Sequence, residues 1–175
     1  QLYEMTVVRH GMMLVGPTGG GKTRVLRMLQ AAISRVKLSA GTYEPGFELV
    51  RVYRCNPKSV TMNQLYGSFD LQTGEWTDGI GAVLIRHVSQ PDTEETGVTQ
   101  ENIKWMLFDG PVDAIWIESM NTVLDDNKKL CLVSGEIIGL TPQMRMQFEV
   151  EDLRVASPAT VSRCGMIYLE PMSLG

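Results

Sequence analysis

Gly16-Pro17-Thr18-Gly19-Gly20-Gly21-Lys22-Thr23 fits the pattern G-x-x-x-x-G-K-[ST] at every fixed position. Each fixed residue type has a physical task. Glycine lets the backbone curl so that successive N–H groups converge on an anion. Lys22 carries a compact charge suited to β- and γ-phosphates, and the Thr23 hydroxyl suits a bound magnesium ion. The flanks agree with the loop. Met12-Met13-Leu14-Val15 is an apolar run of buried-strand length, and Val25, Leu29, Ala32, Ile33 and Val36 recur behind it at helical spacing. Strand, glycine loop and helix in that order put the positive end of the helix dipole where phosphates would sit.

The chain has 175 residues, 43% of them hydrophobic and 21% charged, which suits one domain with a real core. A formal charge of −4 disfavours a general nucleic-acid-binding surface. No apolar run approaches the roughly 20 residues needed to span a bilayer, and no secretory signal is visible. Neither nucleic acid nor membrane is therefore expected as a partner. Cys55, Cys131 and Cys164 are far apart and odd in number, so they read as reduced thiols of an intracellular protein. His10 and His87 have no metal-like neighbours. The chain begins with Gln1 and stops at Gly175 soon after a strand, and it reads as a segment of a longer polypeptide.

Outward from the loop, the pattern predicts a short helix ending near Val8, the first strand, and a helix reaching about Lys37. A connector over Ser39 to Gly46 leads to a strand from Phe47 to Cys55. Asn56-Pro57-Lys58-Ser59 predicts a turn, with Ser59 capping a helix from Val60 to Leu65. Ser68 to Thr77 predicts a β-hairpin around Gly74, and Ile80 to Val88 a helix. Gln90 to Asn102 is polar and acidic and reads as a mobile loop. A buried strand follows from Ile103 to Phe108, then one helix from Ile115 to Lys129. Cys131 to Ile138 predicts a second hairpin around Ser134-Gly135. Met144 to Val150 reads as a strand of alternating polarity, Thr160 to Cys164 as the end of a short helix, and Met166 to Leu169 as the last strand. Alternating strands and helices imply a mostly parallel sheet covered on both faces, a three-layer αβα sandwich.

A phosphate loop needs an acid for its metal, and Trp105-Met106-Leu107-Phe108-Asp109 supplies one at the C-terminal end of a strand. The carboxylate of Asp109 would hold magnesium largely through ordered water. The next residue is Gly110, which has no side chain to serve as a base. Asp113 and Glu118 do not obviously replace it, and Glu149 and Glu151 would repel a γ-phosphate. The expected site binds nucleotide and hydrolyses it poorly.

Several stretches resemble the second AAA+ module of a dynein heavy chain, of axonemal type. They include the loop itself, Asn56 to Met62, Gln64 to Gly67, Glu75 to Gly79 and Phe108 to Asp113. More specific are Asn121 to Lys128, Phe148 to Leu153 and Ser157 to Met166. The resemblance spans nearly the whole chain and implies a P-loop NTPase fold of the AAA+ kind. Residues 1–175 would be one large α/β subdomain without its small helical lid, and the two hairpins would be inserts that touch a mechanical linker. It also implies ATP or ADP with Mg, cradled by Gly16, Pro17, Thr18, Gly19, Gly20, Gly21, Lys22 and Thr23, with Thr23 and Asp109 on the metal. By the same resemblance Arg163 is an arginine finger, reaching in trans to the site of the preceding module. Glu151 falls near the sensor position. The implied partners are neighbouring modules and the linker of the same heavy chain. Through other parts of that chain they extend to intermediate and light chains and microtubules. The implied location is the cytoplasm and cytoskeleton, in a ciliary or flagellar axoneme. The alternative is a hydrolytically active AAA+ module of another remodelling machine, which a glutamate after Asp109 would have favoured.

Overall fold

In a strand, successive side chains point to opposite faces, and here both faces of the first strand are covered. The computed structural model describes residues 1–39, 47–93, 99–100 and 102–170. Helix α1 (Leu2–Val8) leads into strand β1 (Gly11–Val15), every residue of which is buried. Helix α2 (Lys22–Ser39) follows the glycine loop, and strand β2 (Val50–Cys55) comes next. A 3₁₀ turn at Pro57–Ser59 precedes helix α3 (Met62–Tyr66). The hairpin of β3 (Gly67–Phe69) and β4 (Trp76–Asp78) leads to α4 (Ile80–Val88). A short antiparallel pair, β5 (Asp92–Thr93) and β6 (Thr99–Gln100), precedes β7 (Ile103–Asp109). Then come α5 (Ala114–Glu118), α6 (Asn121–Leu124) and the hairpin of β8 (Lys129–Cys131) with β9 (Ile137–Gly139). Strand β10 (Met144–Val150), helix α7 (Pro158–Arg163) and strand β11 (Gly165–Tyr168) complete the order.

The main sheet has five strands in the order β11-β1-β10-β7-β2, and every pairing is parallel. Met12, Leu14, Trp105 and Leu107 face α1 and α2, packing with Leu26 and Ile33. Met13, Val15, Met106, Phe108 and Phe148 face the other way, against α3 to α6. On that second face Phe108, Trp116 and Phe148 stack with ring centroids 5.4 to 6.0 Å apart. The layers are therefore helix, sheet and helix, as the alternation predicts, with the expected two hairpins beside the sheet. One guanidinium ties both hairpins to α4: Arg86 donates to Asp78 at 2.8 Å and to Glu136 at 2.7 Å.

Some local expectations are corrected. The predicted helix from Ile115 to Lys129 is two short helices, because Ser119 and Met120 turn the chain between them and Asp125 is extended (ψ 165°). The cap of α3 is Thr61, not Ser59. Thr61 and Gln64 form a reciprocal capping box, while Asn56 caps the preceding 3₁₀ turn. On α2 the inward residues are Leu26, Leu29 and Ile33, whereas Ala32 and Val36 are exposed. Strand β10 alternates in polarity as read, yet both of its faces are buried: Gln147 is 1% exposed and Glu149 4%. The expected connector over Ser39 to Gly46 lies outside the described residues except at its first position. In the expected loop over Gln90 to Asn102, residues 94–98 and 101 also lie outside them.

Candidate functional site

Parallel strands all end on the same edge, so whatever follows β1, β10 and β7 meets there. The register makes this concrete. Leu14 lies opposite Glu149, and Glu149 lies opposite Asp109. The glycine loop leaves β1 at that edge. Its geometry is fixed by backbone contacts: the Gly16 N–H donates to the Val150 carbonyl at 3.1 Å, and the Gly20 N–H to the Pro17 carbonyl at 3.0 Å. Gly19 and Gly21 both have φ of 82°, a conformation that side chains with a Cβ rarely adopt. A Cβ on Gly16 would stand 2.4 Å from the Leu169 carbonyl oxygen.

Thr18, Gly19, Gly20, Gly21, Lys22 and Thr23 line a cavity of about 340 Å³ together with Arg24, Asp109 and Glu149. Gly16 and Pro17 form the start of the loop, and the Lys22 ammonium donates to their carbonyls at 2.5 and 2.9 Å. The long helix α2 begins at Lys22, so its first N–H groups open onto the same cavity. Every loop residue and the strand-end aspartate predicted from the sequence are thus brought together.

Glu149 adds a carboxylate that the sequence left ambiguous. Its Oε2 accepts from the Thr23 hydroxyl at 2.5 Å, while its Oε1 is buried without a hydrogen-bond partner. Buried acceptors in folded proteins are normally satisfied, so this oxygen marks a place for a donor or a cation. The Thr23 hydroxyl and the carboxylates of Asp109 and Glu149 are hard oxygen donors of the kind magnesium prefers. Among the described residues, no group of three or more His, Cys, Asp or Glu side chains is gathered as a metal site. A divalent ion here would need further oxygens, such as those of phosphate, to fill its shell.

The position after Asp109 is tightly bounded. The Gly110 N–H donates to the Glu149 carbonyl at 3.3 Å, and a Cβ on Gly110 would lie 3.0 Å from Asn56 Oδ1. The other acids stand elsewhere. Asp113 caps α5 and accepts from Lys58 at 2.9 Å, and Lys58 with the α5 N–H of Ile115 holds its carboxyl below the usual range. Glu118 is exposed, and Glu151 is exposed just beyond the end of β10.

Arg163 ends α7 at the opposite edge of the sheet, because Gly165 of β11 lies opposite Met12, at the start of β1. Its Nε donates to Asp125 and its Nη1 to the Ala159 carbonyl at 2.8 Å. It lines a polar cavity of about 280 Å³ with Arg9, His10, Asp126 and Lys128. The two groups that sequence reasoning underweighted are Glu149 and Asn56. Glu149 was legible only as one of two nearby acids. Asn56 reads from sequence as a turn residue, and only the fold places it against Gly110.

Comparison with known proteins agrees with this geometry. Residues 11–164 match the family profile described as AAA domain (dynein-related subfamily). All of the chain is similar to Dynein axonemal heavy chain 1 of Homo sapiens at 63% identity, and 99% of it to Dynein axonemal heavy chain 6 of Homo sapiens at 53%. Similarity to Dynein axonemal heavy chain 12 of Homo sapiens is 54% over the full chain. The chain spans only 4% to 5% of the length of these relatives.

Proposed function

This chain belongs to the dynein-related subfamily of AAA domains, and from that premise we propose that it is a nucleotide-binding module of an axonemal dynein heavy chain. An AAA domain implies nucleotide binding. The finer reading is that the module holds ATP or ADP with Mg and turns it over little or not at all. The observation that carries this reading is Gly110, which puts no side chain beside Asp109, with Asn56 occupying the adjoining space. In this reading the loop N–H groups and Lys22 bind phosphate oxygens. Thr23 and Asp109 hold the metal, with Glu149 positioned to join them or to orient their water. Magnesium, when bound, would neutralise phosphate charge.

The module would be the second of its ring and the large subdomain of that module, with neighbouring modules and the linker as its direct partners. Intermediate and light chains, microtubules and an axonemal location would come with the whole heavy chain. Arg163 is remote from its own loop and held by Asp125, and among the described residues its Nη2 has no hydrogen-bond partner, which leaves it for an anion in trans. That supports the role of a finger for the preceding module. Calorimetry with Mg-ATP on the parent chain and on Lys22→Ala tests the binding step. Heat from the parent and none from the variant is expected, and no heat from the parent would sink the reading. Phosphate release from the same samples tests turnover: brisk release that Asp109→Ala abolishes would overturn the non-hydrolysing part.

A further inference from the structure

Behind the phosphate loop, a third cavity of about 210 Å³ lies between α2 and the sheet. Its walls are Leu26, Val52, Trp105 and Leu107. Gln147 projects from β10 into this space. It is 1% exposed, and its Oε1 is buried with no hydrogen-bond partner. The nearest polar groups are committed elsewhere. The Gln30 amide donates to the Val50 carbonyl at 3.0 Å, and the Thr23 hydroxyl is turned to Glu149. Arg27 and Arg54 also line the cavity and are exposed, and neither has a carboxylate partner among the described residues.

A cavity with apolar walls and a few convergent polar groups is how small-molecule sites are built. Placing a carboxamide at its floor without a donor is unfavourable unless a ligand supplies one. The guanidiniums of Arg27 and Arg54, both lining the cavity, favour an anion. The volume is below the roughly 300–1,000 Å³ of pockets for drug-sized ligands, so the occupant is fragment-sized.

We propose that this cavity is a second ligand site, adjoining the phosphate loop at Thr23 but not lined by Lys22, for a small planar aromatic carboxylate with a ring N–H. The ring lies among Trp105, Leu107 and Leu26, its N–H donates to Gln147 Oε1, and the carboxylate meets Arg27 and Arg54. The probe is indole-3-acetate, titrated by calorimetry into the chain, with Kd expected below about 1 mM for a ligand of this size. Naphthalene-1-acetate, which lacks the donor, should bind about fivefold to tenfold more weakly, the loss expected for one unmade hydrogen bond. Tryptamine, with the opposite charge, should not bind. Gln147→Leu removes an unsatisfied acceptor and should fold at least as stably as the parent, so its weaker binding would not reflect unfolding. Arg54→Gln should also weaken binding by about tenfold. Lys22→Ala, which strikes the phosphate loop, should leave the probe's affinity unchanged. No binding of indole-3-acetate, equal binding of tryptamine, undiminished affinity in Gln147→Leu, or loss of affinity in Lys22→Ala would each overturn the proposal. None of these outcomes bears on whether the loop binds Mg-ATP.

Discussion

Lowering the pH from about 7 to about 4.5 should destabilise this fold by about 2 kcal/mol through one imidazole, His10. His10 lies in the turn between α1 and β1, and both ring nitrogens are buried without a well-formed hydrogen bond. Burial lowers its pKa from 6.5 to about 4, helped by the charges of Lys128 and Arg145, while the Met144 backbone pulls weakly the other way. The sign follows directly. Above pH 6.5 the imidazole is neutral whether the chain is folded or not, and the full stability is present. Below it, the unfolded chain takes up a proton that the folded chain refuses until about pH 4, so stability falls across that window. Each pH unit costs about 1.36 kcal/mol, and two units give about 2.5 kcal/mol. Residual solvent at the ring trims this to about 2 kcal/mol. Urea unfolding of the parent and of His10→Gln at several pH values measures it. Asp78 and Asp113, held low by Arg86 and Lys58, titrate further down, as does Asp92, where burial is outweighed by the Asn102 hydrogen bond and the charges of Lys104 and Arg51. Equal slopes for parent and variant between about pH 6.5 and 4.5 would mean that His10 does not carry this loss.

Phe148→Ala should cost about 3–5 kcal/mol in denaturant unfolding, because its fully buried ring stacks on both Phe108 and Trp116. A loss below about 1 kcal/mol would mean that the aromatic stack collapses to fill the gap. Gly16→Ala puts a methyl 2.4 Å from the Leu169 carbonyl, a backbone atom that must move. It should lower stability by about 1–3 kcal/mol and disturb the loop, seen as a lower melting temperature and weaker Mg-ATP binding. Gly110→Glu supplies a carboxylate beside Asp109 and Asn56 and should raise phosphate release from Mg-ATP at least about tenfold. An unchanged rate would mean that Gly110 is not what limits turnover.

The phosphate loop was legible because its chemistry demands particular residue types at particular spacings, and the strand before it announced itself by an unbroken apolar run. The hairpins were legible from glycine turns between short β-prone stretches. Where reading failed, tertiary packing overrode local pattern. The stripe of Trp116, Met120, Val123 and Leu124 suits one continuous helix, yet all four side chains reach the core from two short helices with a bend between them. The cap at Thr61 was in fact spelled out by Gln64 three residues on, a signal outweighed by the nearer proline. Alternation in β10 normally marks a strand with one wet face. Here the polar side lies under α2, which is why Glu149 could be named from sequence but not located, and why Gln147 drew no notice there.

Strand order has a consequence for how the chain comes to be folded at all. Among the described residues strand β1 pairs only with β10 and β11, so the strand that launches the phosphate loop has no such sheet neighbour until residues 144–150 have been made. At roughly 5–20 residues per second, a growing chain leaves that loop without a sheet for several seconds or longer. Meanwhile β2 and β7 can already pair with each other. Parallel pairings that join distant parts of the chain form late because the intervening loop must first be closed. A nascent module cut short before β10 would therefore carry the complete Gly16–Thr23 sequence and still lack the strand against which β1 aligns it.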